Sequence, residues 1–211
     1  MRRLPVYLVL DTSGSMSGEP IQAVKNGVQM LISALRQDPQ ALETAFLSVI
    51  TFDSSAHELV PLTDLPSFQA PNINASGVTA MGEALSLVAD CAKRDVIKAS
   101  STQKADWRPM VFLMSDGVPT DDFENGLARF QQEKWGAIVA CAVNDADVSI
   151  LKRISPESVV QLDTSDSASM SAFFKWVTAS IGLSSKSVQS GKEVEGLDQL
   201  PPPPPEIQVV V

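Results

Sequence analysis

Five oxygen-bearing side chains stand where they could together bind a hard metal ion. They are Asp11, Ser13, Ser15, Thr79 and Asp116. The set contains no sulfur and no imidazole, and two carboxylates with hydroxyl groups suit Mg²⁺ best, with Mn²⁺ and Ca²⁺ as alternatives. Carboxylates crowded together without a cation repel one another, and a divalent ion removes that conflict. The sequence therefore predicts a divalent metal site, provided that the fold brings these residues together.

The spacing within the first part of this set supports convergence. Asp11, Ser13 and Ser15 alternate along the chain with Thr12 and Gly14. Alternate residues of an extended turn face one side, and glycine lets such a loop turn tightly. We therefore expect the three oxygens of this segment to point toward a common centre.

The elements that must position these side chains alternate between strands and helices. Apolar runs predict strands at residues 7–10, 46–52, 56–60, 109–114, 137–143 and 158–162. Helical spacing and capping residues predict helices over residues 19–35, 80–91, 121–134, 147–154 and 170–181. We expect an α/β fold with a doubly wound, mostly parallel sheet of about six strands and helices on both faces. The second and third strands are joined by a short connection, which predicts one antiparallel edge strand. Ligands of such sheets bind beyond the carboxyl ends of the strands, where all five oxygens are expected.

Composition restricts the function and the location. The net charge of −9 disfavours binding to nucleic acid through a basic face. No apolar segment reaches the length of a membrane helix, and the short N-terminal apolar run lacks the features of a signal peptide, so we expect a cytoplasmic protein. Cys91 and Cys141 lie in apolar segments and are expected to be buried thiols.

The chain is expected to consist of one domain and a tail. Residues 1–181 carry the alternating elements, and residues 182–211 are polar and contain the five prolines Pro201–Pro205. Such a proline run acts as an extended spacer or as a docking segment for a partner. In the second case the final residues 209–211 could add a strand to a sheet edge.

Three segments together resemble the metal-ion-dependent adhesion site of von Willebrand factor type A domains. They are Asp11–Ser15, Gly77–Thr79 and Ser115–Gly117, in the order and at the intervals found in that family, and the resemblance covers residues 4–181. It implies a Rossmann-like fold in which Ser13, Ser15 and Thr79 bind the metal directly. Asp11 and Asp116 would then act largely through water molecules. One coordination position is left for the carboxylate of a partner protein, so the resemblance implies an interaction module and not an enzyme.

Within this family, other stretches are similar to members linked to bacterial tellurite resistance. They are residues 4–27, residues 48–53 and the prolines at 201–205. This similarity implies an accessory protein of a bacterial stress-response system that associates with kinase- and phosphatase-type proteins. No Cys-x-x-Cys pair is present, so no zinc site is expected.

Enzymatic alternatives rest on the same residues. An Asp after the first strand with Mg²⁺ is the start of an aspartyl-phosphate mechanism, so a Mg²⁺-dependent hydrolase or phosphatase using Asp11 stays an alternative. Ser13 stands where such enzymes would place a second acid. A serine hydrolase would need His57, the single histidine, which we expect away from the strand ends. Asp53, Asp121 and Asp122 are expected to act in turns and helix caps.

Overall fold

The central feature of the computed structural model is a mixed β-sheet with helices on both faces. The structure describes residues 2–144, 146–162, 167–192, 196 and 199–210. The strands in these ranges are β1 (Leu4–Asp11), β2 (Ala45–Phe52), β3 (Ala56–Asp64), β4 (Met110–Ser115), β5 (Ala137–Val143), β6 (Val159–Leu162) and β7 (Gln208–Val210). The helices are α1 (Glu19–Leu35), α2 (Pro39–Thr44), α3 (Met81–Asp95), α4 (Phe123–Phe130), α5 (Val148–Ile154) and α6 (Ser167–Gln189).

The strand order is β3-β2-β1-β4-β5-β6-β7, which confirms the predicted fold class. Strand β1 lies at the centre and pairs in parallel with both β2 and β4. The chain moves outward from β1 to β2 and β3, and then returns to the other side of β1 to form β4. The strand order therefore reverses between β1 and β4, which is where ligands bind in sheets of this kind.

Strand β1 is apolar on both faces because each face packs into a hydrophobic core. Leu4, Val6, Leu8 and Leu10 pack into a core with residues of α1 and α6, while Tyr7 and Val9 pack into a second core with α3 and α4. A central strand covered on both sides is continuously apolar. This packing holds the carboxyl end of β1, and therefore Asp11, in a fixed position.

Several element boundaries differ from those expected. Helix α4 ends at Phe130 and not at residue 134, because the chain there folds into turns in which Gln132 and Glu133 donate to the carbonyls of Arg129 and Phe130. The segment at Asp38 ends α1 as expected but also starts α2, since the Asp38 carboxylate accepts from the amides of Gln40 and Ala41. That second helix was not predicted.

The largest difference concerns the C-terminal part of the chain. Helix α6 continues from residue 181, its expected end, to Gln189, because Ser184, Ser185 and Val188 are buried although two of them are polar. Strand β7 pairs with β6 in the antiparallel sense and gives the sheet a seventh strand and a second antiparallel edge. The division into a domain of residues 1–181 and a tail of residues 182–211 stays a prediction.

Several of the described residues after α6 pack into the core. Leu200 and Ile207 are buried in the core that contains α6, and the Trp176 indole N–H donates to the carbonyl of Pro201 at 2.7 Å. One alternative was that residues 209–211 add a strand to a sheet edge, and Val209 and Val210 form such a strand with the chain's own β6. Residue 211 lies outside the described residues.

Both cysteines are buried free thiols, as expected. Burial raises the pKa of the Cys91 thiol to about 12 and raises that of the Cys141 thiol well above its usual value. Both side chains therefore act as small apolar core residues. Among the described residues, no helix combines the length and the apolar character needed to cross a bilayer.

We predict that Gly126→Ala destabilises the protein by about 2 kcal/mol, within the range measured for overpacked cores. A Cβ atom at Gly126 would lie 2.0 Å from the backbone oxygen of Gly82, so α4 would have to move away from α3. Urea unfolding measures the loss. In the matched substitution Gly182→Ala, the nearest atom is a carboxylate oxygen of Asp38 at 3.3 Å, and little change is expected. Equal stability of the two variants would contradict the prediction.

Candidate metal centre

Asp11 is the innermost group of the site. It is the last residue of β1, at the reversal of strand order, and it is fully buried. Its Oδ1 atom accepts from the Ser13 amide at 2.8 Å, and its Oδ2 atom accepts from the Ser115 hydroxyl at 2.5 Å. Burial raises the pKa of this carboxyl, and the negative charge of Asp116 raises it further, while the hydrogen bonds from Ser115 and Ser13 oppose the shift. Burial therefore makes the ionised form of Asp11 unfavourable, and a cation bound beside it would stabilise that form.

A chain of hydrogen bonds links the first loop to the end of β4. The Ser13 and Ser15 hydroxyl oxygens are 3.0 Å apart, and the Ser15 hydroxyl donates to the Asp116 Oδ1 atom at 2.8 Å. Ser13 is buried, Ser15 is exposed and Asp116 is half-buried. The site therefore has a closed inner side at Asp11 and an open outer side at Ser15.

Thr79 belongs to a second loop that is tied to the first. The Gly14 amide donates to the Gly77 carbonyl at 3.1 Å, and the Ser76 amide donates to the Thr12 carbonyl at 2.8 Å. Gly77 has a φ of +69°, a left-handed conformation that glycine adopts without strain. These bonds hold Thr79 beside the Asp11–Ser15 loop.

A third set of contacts joins the Thr79 loop to the loop that follows β4. The Thr79 amide donates to the Thr120 hydroxyl at 3.2 Å, and the Thr120 amide donates back to the Thr79 carbonyl at 2.9 Å. A Cβ atom at Gly117 would lie 2.7 Å from the Thr79 hydroxyl oxygen. Glycine at this position therefore lets the loop after Asp116 approach Thr79 closely.

The donor set fits a hard divalent cation. The structure brings the three predicted loops together, and hydrogen bonds connect Asp11, Ser13, Ser15 and Asp116 directly or through one another. Across the described part of the chain, no group of three or more His, Cys, Asp or Glu residues could hold a metal. A metal at this edge would therefore depend on hydroxyl oxygens as well as carboxylates, as hard ions accept. The role of the five residues as ligands stays a prediction.

Neighbouring acidic residues have structural roles. Asp53 closes a turn by accepting from the Ser55 amide and also accepts from the Ser76 hydroxyl. Asp122 caps α4, as expected, through the amide of Asn125. Asp121 was expected at the start of α4, but it accepts from the amides of Gly82 and Glu83 and so caps α3. These two bonds link the loop after β4 to α3, the helix that follows Thr79.

The position expected for His57 was wrong. It lies opposite Thr51 near the carboxyl end of β2, because β3 runs antiparallel and begins at that end. Its Nε2 atom is 2.8 Å from the Ser55 hydroxyl oxygen.

Sequence reasoning assigned no site role to Ser115 and Thr120. The place of Ser115 directly before Asp116 was a usable signal, whereas no sequence pattern indicates that Thr120 pairs with Thr79.

We predict that Ser115→Ala lowers the Mg²⁺ affinity about 10- to 100-fold, the usual cost of losing a group that orients a metal ligand. The variant removes the hydroxyl that donates to Asp11 while leaving all five predicted ligands in place. Titration with Mg²⁺, followed by calorimetry, measures the change. Ser48→Ala is the matched control, since this buried strand hydroxyl donates to the Val60 carbonyl and does not contact the site. Equal Mg²⁺ affinity in both variants would refute the role of Ser115.

The chain belongs to the von Willebrand factor type A domain family, whose model matches residues 6–176. It is also 34% identical over 123 residues to an uncharacterized protein of Synechocystis sp.. That match covers 55% of this chain and 26% of the relative, so it spans about a quarter of that protein.

Solved structures of the same fold are similar at low sequence identity. A von Willebrand factor type A protein of Catenulispora acidiphila has a TM-score of 0.67 at 18% identity, covering 86% of this chain and 43% of that one. The pilus adhesin SpaC of Lactobacillus rhamnosus GG has a TM-score of 0.70 at 15% identity, covering 86% and 30%. Proximal thread matrix protein 1 of the mussel byssus, solved with a zinc-occupied metal-ion-dependent adhesion site, has a TM-score of 0.58 at 21% identity, covering 84% and 46%. This chain therefore spans less than half the length of each.

Proposed function

We propose that this protein is a metal-dependent protein-interaction module that binds a carboxylate of a partner through Mg²⁺. The ion would be held by Asp11, Ser13, Ser15, Thr79 and Asp116. Mg²⁺ would supply a positive centre at the open side of the site, to which an outside carboxylate is attracted. Domains of this family generally act as interaction modules, which supports the proposal.

The single observation that carries the proposal is the meeting of three loops at the reversal of strand order. Gly14 bonds to Gly77, Ser15 bonds to Asp116, and Thr79 exchanges two hydrogen bonds with Thr120. Each loop is thereby tied to the other two. A site held in this way needs little rearrangement when a metal binds, which favours affinity.

We further propose that the module serves a bacterial tellurite- or stress-resistance system in the cytoplasm. The stretches at residues 4–27 and 48–53 and the prolines at 201–205 resemble those of the tellurite-resistance protein TerY. This resemblance supports a scaffold for kinase- and phosphatase-type proteins. Loss of tellurite resistance on deletion of the gene, with rescue by the wild-type chain and not by Ser13→Ala, would support this assignment.

The alternative of a Mg²⁺-dependent phosphatase finds less support. An aspartyl nucleophile must present an oxygen to the substrate, but Asp11 is fully buried and both of its oxygens accept hydrogen bonds. Incubation of the purified protein with Mg²⁺ and p-nitrophenyl phosphate tests the alternative. Turnover that disappears in Asp11→Asn would favour the enzyme over the interaction module.

Affinity purification in Mg²⁺ and in chelator tests the proposed function. We expect proteins to be retained by the wild-type chain in Mg²⁺ and lost in EDTA. Ser13→Ala should lose the same proteins in Mg²⁺, because it lacks one predicted ligand. A circular dichroism spectrum equal to that of the wild type would show that the sheet still folds. Retention that is unchanged by EDTA and by Ser13→Ala would overturn the proposal.

A further inference from the structure

Two exposed valines lie beside the candidate metal centre. Among the described residues, six large apolar side chains are exposed, and the two most exposed are Val118 at 57% and Val78 at 52%. Neither belongs to the two hydrophobic cores or packs against them. Isolated apolar side chains are common on protein surfaces, so their importance depends on where they lie and on how they are held.

Both valines adjoin the same contact between two loops. Val78 directly precedes Thr79, and Val118 directly follows Gly117, whose Cβ position lies 2.7 Å from the Thr79 hydroxyl oxygen. Each valine Cα atom is therefore one residue, or about 3.8 Å, from a member of this contacting pair. Both valines therefore lie close to the point where Thr79 meets the loop after Asp116.

The backbone that carries the valines is held in place. Thr79 and Thr120 exchange two hydrogen bonds, and the Val78 amide donates to the Ser54 hydroxyl at 3.4 Å. Gly77 adopts a left-handed conformation on one side of Val78. The two side chains are thus presented to solvent from a fixed frame, so a partner that buries them does not have to order the loops.

The charged residues of the loops at this edge of the sheet are all acidic. The loops that leave the carboxyl ends of β1, β2, β4 and β5, together with residues 76–80, contain no lysine, arginine or histidine among their described residues. Their acidic residues are Asp53, Asp116, Asp121, Asp122 and Asp147. Two cations lie just outside these loops: Lys25 on α1 bonds to Asn74, and Arg153 on α5 lies over the Phe123 ring and pairs with Glu124. A field of one sign repels like charge and attracts the opposite charge.

We infer that the partner presents a single acidic residue with apolar neighbours, on a surface that is otherwise basic. This inference rests on the proposed function and specifies its ligand. The single carboxylate completes the metal site, the apolar neighbours cover Val78 and Val118, and basic residues face the surrounding aspartates. An acidic patch would satisfy the metal equally well but would be repelled by those aspartates.

Three synthetic peptides test the inference, each acetylated and amidated. The first is Lys-Leu-Asp-Leu-Lys, the second replaces both leucines with serine, and the third replaces both lysines with glutamate. Binding to the full chain is followed by NMR titration in saturating Mg²⁺ and again in EDTA. We expect the first peptide to bind about tenfold more tightly than either of the others. The second peptide lacks the burial of apolar surface, and the third lacks the attraction between lysine and the aspartates. Binding of all three should disappear in EDTA.

A double variant assigns the preference to the valines. Val78→Ser with Val118→Ser should lose the preference for the leucine peptide over the serine peptide. Its Mg²⁺ affinity should be unchanged, because neither valine side chain is a metal ligand. Leu183→Ser is the matched control, since Leu183 is exposed on α6, and it should keep the preference.

The possible outcomes separate the two proposals. Equal Mg²⁺-dependent affinity for the leucine and serine peptides, or an equal preference in the double variant, would overturn the inference and leave the proposed function standing. Tighter binding of the glutamate peptide would overturn the predicted basic surface. Failure of every peptide to bind in Mg²⁺ would overturn carboxylate binding itself, and the inference with it.

Discussion

Replacing Asp11 with asparagine is expected to abolish the stabilisation that Mg²⁺ gives to this protein. A ligand present at 100 times its dissociation constant stabilises a folded chain by about 2.7 kcal/mol. In a protein of this size, that corresponds to a rise of about 5 to 10 °C in Tm. Asparagine keeps the size of the side chain and can still bond to the Ser13 amide and the Ser115 hydroxyl, but it removes the negative charge. Scanning calorimetry with and without Mg²⁺ measures the effect.

The metal-free stability gives a second readout for the same variant. Burial raises the pKa of the Asp11 carboxyl, which means that its ionised form is unfavourable in the folded protein without a cation. Metal-free Asp11→Asn should therefore be at least as stable as the wild type. Asp53→Asn is the matched control, because Asp53 follows the neighbouring strand but bonds to Ser55 and Ser76. If Mg²⁺ raised the Tm of Asp11→Asn as much as that of Asp53→Asn, the metal site would be wrongly placed.

Replacing Leu200 and Ile207 together with alanine is expected to destabilise the protein by about 4 kcal/mol, from about 2 kcal/mol for each large apolar side chain removed from a core. Both residues follow α6 and are less than 10% exposed, at 7% and 4%. The loss would be a large part of the stability of an ordinary domain. Urea unfolding followed by tryptophan fluorescence measures it, with Trp176 reporting on the contact with Pro201.

The same segment contains its own control. Val209 lies in β7 but is 44% exposed, so Val209→Ala should change the stability by no more than about 0.5 kcal/mol. A double variant that unfolded like the wild type would show that residues 199–210 add nothing to the stability of the sheet. The predicted boundary between a domain of residues 1–181 and a separate tail would then gain support.

The fold was predictable where local pattern and tertiary packing agree. The apolar run of β1 and the helical spacing of α1 each predicted the right element, because both are buried in the way that their periodicity implies. The end of α6 was not predictable, since Ser184 and Ser185 are polar by type but buried in place. Strand β7 pairs with residues about 50 positions earlier, a contact that no local pattern records.

The residues predicted to bind the metal could be found from the sequence, whereas the residues that hold them in place were harder to predict. Asp11, Ser13 and Ser15 follow one strand, and their spacing alone indicated convergence. The support from Thr120 depends on a loop crossing that the sequence does not show. His57 was misplaced although the antiparallel direction of β3 was predicted, since that direction already puts the start of β3, where His57 lies, at the carboxyl edge of β2.

The position of β7 has a consequence for synthesis of the protein. Strand β6 is covered on its outer side only when residues 208–210 pair with it, and these residues follow the other described strands in sequence. While the ribosome still holds this segment, the nascent polypeptide has an open β6 edge and an indole at Trp176 without its partner carbonyl. Until residues 208–210 have left the ribosome, β6 therefore exposes an unpaired edge, and such an edge can pair with a neighbouring chain.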